Sequence, residues 1–326
     1  MFRKPRMNLF KSVVTEVAQH PNFKRAMQSP QSHRELIQTW AENFVDRDGK
    51  FVKEFQMRFN SCFWELYVFA CLKELKLPVD FRFVAPDFVL TDAACSCCIE
   101  CMIAENALGS QAEHEVTILS RLQNPEAPRR EDVAYEASLR LANSIASKHQ
   151  RYARHYRFKN HVVGKPFVLA IAPFEEPHFG IQRLDGITNV LYAVKLGEVK
   201  KANGRTIPPG FFLDDHMADV SAVIFSNVAT YGKVVALAKD ANSIGGFFTA
   251  RHGYRELNSY SLEDYTETLL DGLFILHNPF ARFPFATDIF RKHGIAQFFN
   301  DGNSFVADVP NGYLLERSCM SFQPSD

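Results

Sequence analysis

The 326-residue chain has room for one large domain or two ordinary ones, with ample core. Its hydrophobic and charged fractions, 46% and 23%, are those of a soluble globular protein. A formal net charge of zero excludes nucleic-acid binding driven by bulk charge and leaves only a local basic surface for that purpose. No stretch approaches the roughly 18 uncharged apolar residues of a membrane span, and the N-terminal residues 1–14 lack the apolar core and small-residue cleavage site of a signal peptide. Seven Cys, four of them crowded into Cys95–Cys101, suit a reduced, cytoplasmic setting, because neighbours on one strand cannot easily pair. The 30 Phe point to a core built on aromatics.

Residues 8–20 and 31–46 have helical spacing (Leu9, Val13, Val17; Leu36, Ile37, Trp40, Phe44), punctuated by Pro21 and Pro30. They form an N-terminal helical segment, 1–49, closed by the turn at 46–49. A long helix is expected from about Lys50 to Leu77, with Phe51, Phe55, Phe59, Cys62, Leu66 and Phe69 on one face. Its second half is apolar all round apart from Glu65, and Pro78 stops it. Residues 81–105 read as a β-hairpin with its turn at 91–94, and residues 123–130 read as a loop. A helix with a basic second half runs from about Glu131 to Arg157. Phe167–Ala172 and Val220–Ser226 are charge-free runs of the kind found in fully buried strands. Residues 174–210 mix short strands with turns, 262–271 have helical spacing, and the tail from His277 is expected to be irregular and aromatic. The order helix, hairpin, helix, strand, strand argues an α/β (α+β) domain over 50–326, with a central mixed β-sheet flanked by helices.

Three acids stand out in apolar surroundings. If Ala93 and Ala94 centre the hairpin turn, paired positions sum to 187 and Asp87 faces Glu100, at about 5 Å between side-chain origins. Two like charges there need a positive group between them. Glu65, alone on a buried helix, has the same need. One divalent cation, Mg²⁺ or Mn²⁺ for hard carboxylate oxygens, would answer all three. The plain alternative is an ion pair for each, with Arg58, Arg82 or Arg140 as partner.

A helix Glu65, then Pro86-Asp87 on one strand and Ile99-Glu100 on the next, resembles the PD-(D/E)XK, restriction-endonuclease-like superfamily, as does the helix–hairpin–helix–strand order over about 50–172. The resemblance covers the core, is carried by a short motif, and extends to uncharacterised bacterial proteins of this fold; it leaves out the C-terminal third. It implies Mg²⁺-dependent hydrolysis of DNA phosphodiester bonds, with Asp87 and Glu100 holding the metal and Glu65 completing its shell. The family places Lys two residues after the strand Glu, and here that position is Met102, which can neither position water nor carry charge. Some members move the basic group to a neighbouring helix, and Lys148 is the candidate. Without such a group the chain would be a catalytically silent nuclease-fold module that binds nucleic acid or a protein partner.

Lys148, Arg151, Arg154 and Arg157 could track phosphates, and the interleaved Tyr152 and Tyr156 could stack or hydrogen-bond; a solvated helix end accounts for only some of these charges. Alternation along the strand puts Cys95, Cys97 and Cys101 on one face and Cys98 with Glu100 on the other, which favours small core residues over a zinc site. His277-Asn278-Pro279 is expected to fix a loop, and Asp214, Asp215, His216 and Asp219 to cap the approach to the second buried strand.

Overall fold

The computed structural model describes residues 7–322 apart from 108, 116–127, 196, 201–203, 205, 255–256 and 301–303. The loop expected at 123–130 lies largely outside the described residues. The fold is mixed α/β. Among the described residues, eight α-helices accompany a seven-stranded sheet: α1 (Pro21–Gln28), α2 (Gln31–Trp40), α3 (Phe51–Met57), α4 (Phe59–Glu74), α5 (Arg130–Arg151), α6 (Asp185–Tyr192), α7 (Tyr231–Ala238) and α8 (Asp288–Lys292). In chain order the strands are β1 (Phe88–Thr91), β2 (Ser96–Glu105), β3 (Phe167–Phe174), β4 (Val199–Lys200), β5 (Thr206–Ile207), β6 (Ala222–Phe225), β7 (Ile244–Arg251), β8 (Asn258–Ser261), β9 (Phe274–His277), β10 (Ala296–Asn300), β11 (Phe305–Asp308) and β12 (Leu314–Phe322).

The main sheet runs β1-β2-β3-β6-β9-β10-β11; β12-β7-β8 form a second sheet and β4-β5 a small third. Strands β2, β3 and β6 are mutually parallel, β1 is antiparallel to β2, and β9 and β10 run together against β6. The β2–β3 crossover passes through α5, as parallel pairing requires. Both faces of the sheet are covered, which is why β3 and β6 are buried at every position. One face packs Phe88, Ile99, Val168 and Ala170 against α4 and the N-terminal helices. The other packs Val89, Cys98, Met102 and Leu169 against α5 and α6.

The hairpin register agrees with expectation: Phe88 pairs with Ile99 and Val89 with Cys98, sums of 187 in both cases. Asp92 makes the turn by accepting a hydrogen bond from the Ala94 N–H. Other expectations are corrected. The helix over 50–77 is two helices broken at Arg58 (φ −130°, ψ 49°), so that Phe55 meets Phe23 of α1 while α4 lies along the sheet. Residues 8–20 hold only a single 3-10 turn, Glu16–Ala18. Pro21 opens α1 rather than ending a helix, since a first-turn Pro loses no intrahelical bond. In the described part of the N-terminal segment, Leu9, Phe23, Ile37 and Phe44 join the same core as α4 and the sheet.

Residues 262–271 are turns, not a helix. They deliver Tyr265 onto Phe247, with ring centroids 4.2 Å apart, and Glu267 to two buried cations. The tail is irregular only in part: residues 278–287 form no helix or strand, but beyond them it supplies β10 and β11 of the main sheet, then β12 of the second. Its short strands escape the sequence reading because Pro, Gly and Asn interrupt them every few residues.

Candidate functional site

The three acids gather around the β1 edge of the sheet without meeting at a point. Asp87 lies just before β1, where its Oδ2 accepts the Cys101 N–H at 2.7 Å. That bond lies at the sheet edge, beyond the Phe88–Ile99 pair of the ladder. Glu100, 3% exposed, points to the α5 face. Glu65 rises from α4 on the opposite face, beside Cys62 and Cys101. Consecutive strand residues alternate between faces, so Glu100 and Cys101 look in opposite directions and the acids divide accordingly.

Their electrostatics are still shared. Desolvation and then the Glu100 charge push the Asp87 carboxyl up to about 7, against the pull of the Cys101 N–H, Lys148 and Arg47. Desolvation followed by Asp87 holds Glu65 well above the usual carboxylate range. Glu100 has its own cation: the Lys148 ammonium donates to its Oε1 at 2.6 Å. Tyr156 donates to the same oxygen at 3.3 Å, and the Arg151 guanidinium stands 3.8 Å away. The side chain two residues after Glu100, Met102, is buried in the α5-face core. A basic group from the helix after the hairpin thus stands at the strand Glu, and it is Lys148.

Arg47 is the participant that sequence reasoning missed. Its Nη1 donates to the backbone carbonyls of Phe83 and Asp87 at 2.7 and 3.0 Å, and its charge acts on Asp87 and Glu65. No spacing links residue 47 to residue 87; only the fold does. The three arginines weighed as partners are engaged differently: Arg82 pairs with Asp80, Arg140 acts on Glu175, and Arg58 acts on Cys62.

Helix α5 continues through a π-helical turn, Tyr152–Tyr156. The turn places Arg151, Arg154 and Arg157 at the surface and buries both tyrosines. Tyr152 stacks on Phe167 at 4.3 Å and Tyr156 donates to Glu100, so both buried tyrosines spend their stacking and hydrogen bonding inside the protein.

Among the described residues, two trios bring metal-capable donor atoms within 4.8 Å of one another: His20, Glu113 and His114; and Asp214, Asp215 and His216. Glu65, Asp87 and Glu100 are not such a trio, and no trio contains cysteine. The first trio is satisfied by hydrogen bonds. Asn22 and Asn60 amides donate to Glu113 Oε1 at 2.7 and 2.8 Å, and His20 Nδ1 accepts the Asn22 N–H. The second is exposed, with Asp214 capping a 3-10 turn. Cys95 and Cys97 share one face and Cys98 the other, in core surroundings, and every cysteine is free. His277 is buried against Gln297 at 2.8 Å, and the Asn278 amide ties down the Met217 and Val220 carbonyls, a loop-fixing arrangement. No described helix is long and apolar enough to cross a membrane.

Comparison of the chain with protein-family models, with curated proteins and with solved structures found no match.

Proposed function

We propose that the chain is a divalent-cation-dependent phosphodiesterase of the nuclease type, acting on DNA. The observation that carries this reading is the Lys148 ammonium on Glu100, beside an Asp87 carboxylate fixed by the Cys101 N–H. The residues suit a hard cation: two desolvated carboxyls, Asp87 and Glu65, are held above their usual range by burial and by nearby negative charge, and a cation relieves both. Asp87 and Glu100 would hold Mg²⁺ or Mn²⁺, with Glu65 acting through the waters that Mg²⁺ retains. When bound, the cation supplies a bound water of lowered pKa and balances charge on the phosphate.

The chain's own groups have separate tasks. Lys148, oriented by Glu100, provides the positive charge that Met102 cannot, and neutralises charge growing on the phosphate oxygens. Arg47 buttresses the segment that presents Asp87 through its carbonyl contacts. Arg151, Arg154 and Arg157 would take the phosphates of the strand on either side.

The test is incubation of purified protein with plasmid and linear DNA, with Mg²⁺ or Mn²⁺ present. Cleavage abolished in Asp87→Ala and Glu100→Ala is expected; cleavage undiminished in both sinks the mechanism. The closed Glu100–Lys148 ion pair favours one second reading, a silent module of the same fold. It predicts no cleavage but salt-dependent DNA binding, weakened when Arg151, Arg154 and Arg157 are replaced together.

A further inference from the structure

His20, Glu113 and His114 meet where the loop after β2 docks on the N-terminal helices. His20 precedes α1, and Glu113 and His114 lie between β2 and α5. Each offers one donor atom, and the three atoms lie within 4.8 Å of one another. Glu113 Oε2 and His114 Nδ1 are 3.3 Å apart. Two ligands on a tetrahedral ion, with bonds of about 2.0–2.1 Å, stand at that same separation. All three residues are half-buried, so an ion can reach them from solvent.

In the metal-free protein hydrogen bonds satisfy the trio, and the same bonds orient it for an ion. The Asn22 and Asn60 amides both donate to Glu113 Oε1, and Asn22 also donates to Asn60 Oδ1 at 2.9 Å. The carboxylate is thereby fixed by one oxygen, with Oε2 turned towards His114. Arg25 donates to the His114 carbonyl at 2.6 Å and holds the backbone beside this pair. Metal-binding carboxylates are regularly held by such outer hydrogen bonds. Asn22, Asn60 and Glu113 also line a cavity of about 650 Å³, which gives the site an open side.

The two histidines enter differently. With its proton on Nε2, His114 presents the Nδ1 lone pair to an ion beside Glu113 Oε2, and the ion takes the place of the proton that would otherwise lie between them. His20 has to give up a bond, because its Nδ1 accepts the Asn22 N–H at 3.1 Å. Coordination through Nδ1 uses that lone pair, and coordination through Nε2 puts the ring proton on Nδ1, so in either case the Asn22 N–H is released from the cap. Two imidazoles and one carboxylate suit Zn²⁺, whereas Mg²⁺ and Ca²⁺ take oxygen ligands. Three protein ligands are also the number found in zinc sites that keep a fourth position for water.

We propose that His20, Glu113 and His114 form a Zn²⁺ site, its fourth position open to water, that fastens the loop after β2 to the start of α1. The site is separate from the Asp87 and Glu100 carboxylates, and its test does not use cleavage.

The full chain, freed of metal by chelator and dialysis, is titrated calorimetrically with Zn²⁺, with excess Mg²⁺ present throughout to occupy all-oxygen sites. Saturation at one Zn²⁺ per chain is expected, together with a rise in melting temperature. Co²⁺ in its place should give the intense visible bands of a four-coordinate ion without thiolate charge transfer. His114→Ala removes a ligand and should weaken Zn²⁺ binding about a hundredfold or more. Asn60→Ala removes no ligand but frees the Glu113 carboxylate, and should weaken binding about tenfold. Should His114→Ala fail to fold, Glu113→Gln, which keeps an oxygen for the Asn22 and Asn60 amides, serves in its place with the same expected loss. Absence of saturable Zn²⁺ binding, binding indifferent to His114→Ala and Glu113→Gln, or a Co²⁺ spectrum carrying thiolate charge transfer overturns the proposal.

Discussion

Glu100 shows how much one buried acid can ask of its surroundings. It sits at 3% exposure in an apolar strand, and one of its oxygens receives an ammonium, a phenol and, more distantly, a guanidinium. Removing the ammonium leaves a buried charge with weaker partners. Lys148→Met is therefore expected to cost about 2–4 kcal/mol in urea denaturation, and Glu100→Gln in the same chain to recover much of it. A Lys148→Met variant as stable as the parent would show that Tyr156 and Arg151 suffice. Glu175 tests burial by pH. Desolvation raises its carboxyl to about 8 from an ordinary 4.5, with the Gln182 amide as its partner. The folded state keeps a proton there that the unfolded state releases, so stability is fully present below about pH 4.5 and is lost as pH rises towards 8. Asp87 and Glu65 act in the same direction. Glu175→Gln should make the melting temperature less sensitive to pH across that window; an unchanged slope would contradict the assignment. At this scale the sequence was informative. Counting across the hairpin turn gave the register of β1 on β2; Asp87 itself lies before β1 and bonds the Cys101 N–H. The sequence was silent on Arg47, because a contact between residues 47 and 87 leaves no periodicity to read.

Elements were legible where one physical preference dominated. Helix α5 and strands β3 and β6 have clean hydrophobic signatures and occur close to where spacing puts them. Reading failed where local preference and tertiary demand conflict. Leu262, Tyr265, Leu269 and Leu270 carry helical spacing, but a helix there could not bring Glu267 between Lys233 and Arg317. All three of these side chains are fully buried in their ion pairs, at 3.2 Å for Lys233. Lys233 also donates to the Thr268 and Asp271 carbonyls, so the irregular segment is held at several points. Glu267→Gln should destabilise the second sheet and α7 by about 3–5 kcal/mol, because it leaves two buried cations without their shared carboxylate. Hydrogen exchange in β7 and β12 would report the loss. Protection equal to the parent's would mean that the segment is held by Tyr265 packing on Phe247 instead.

For the whole molecule, the correction that matters most concerns the tail. Strands β9, β10 and β11 continue the main sheet beyond β6. A chain ended after residue 270 would leave the fully buried strand β6 as an open edge, with the bonding groups that pair to β9 unmet. Such a chain is expected to lack a cooperative thermal transition, which differential scanning calorimetry would record. A sharp transition near the parent's would show that the first 270 residues fold alone. The mixed α/β class was readable from the order of elements in the first 172 residues. The sheet's full width was not, because half of it is assembled from strands of four or five residues interrupted by turns.

The two cations around Glu267 tie the fold to the direction of its synthesis. Lys233 emerges from a ribosome first, Glu267 follows, and Arg317 comes last, 50 positions after the acid it neutralises. Until residue 317 has cleared the exit tunnel, the irregular segment lacks its clasp and β7 lacks the partner strand β12. Arrested nascent chains that expose residues to 300 should therefore be cut readily by protease around 244–271, and chains extended well past 317 should resist.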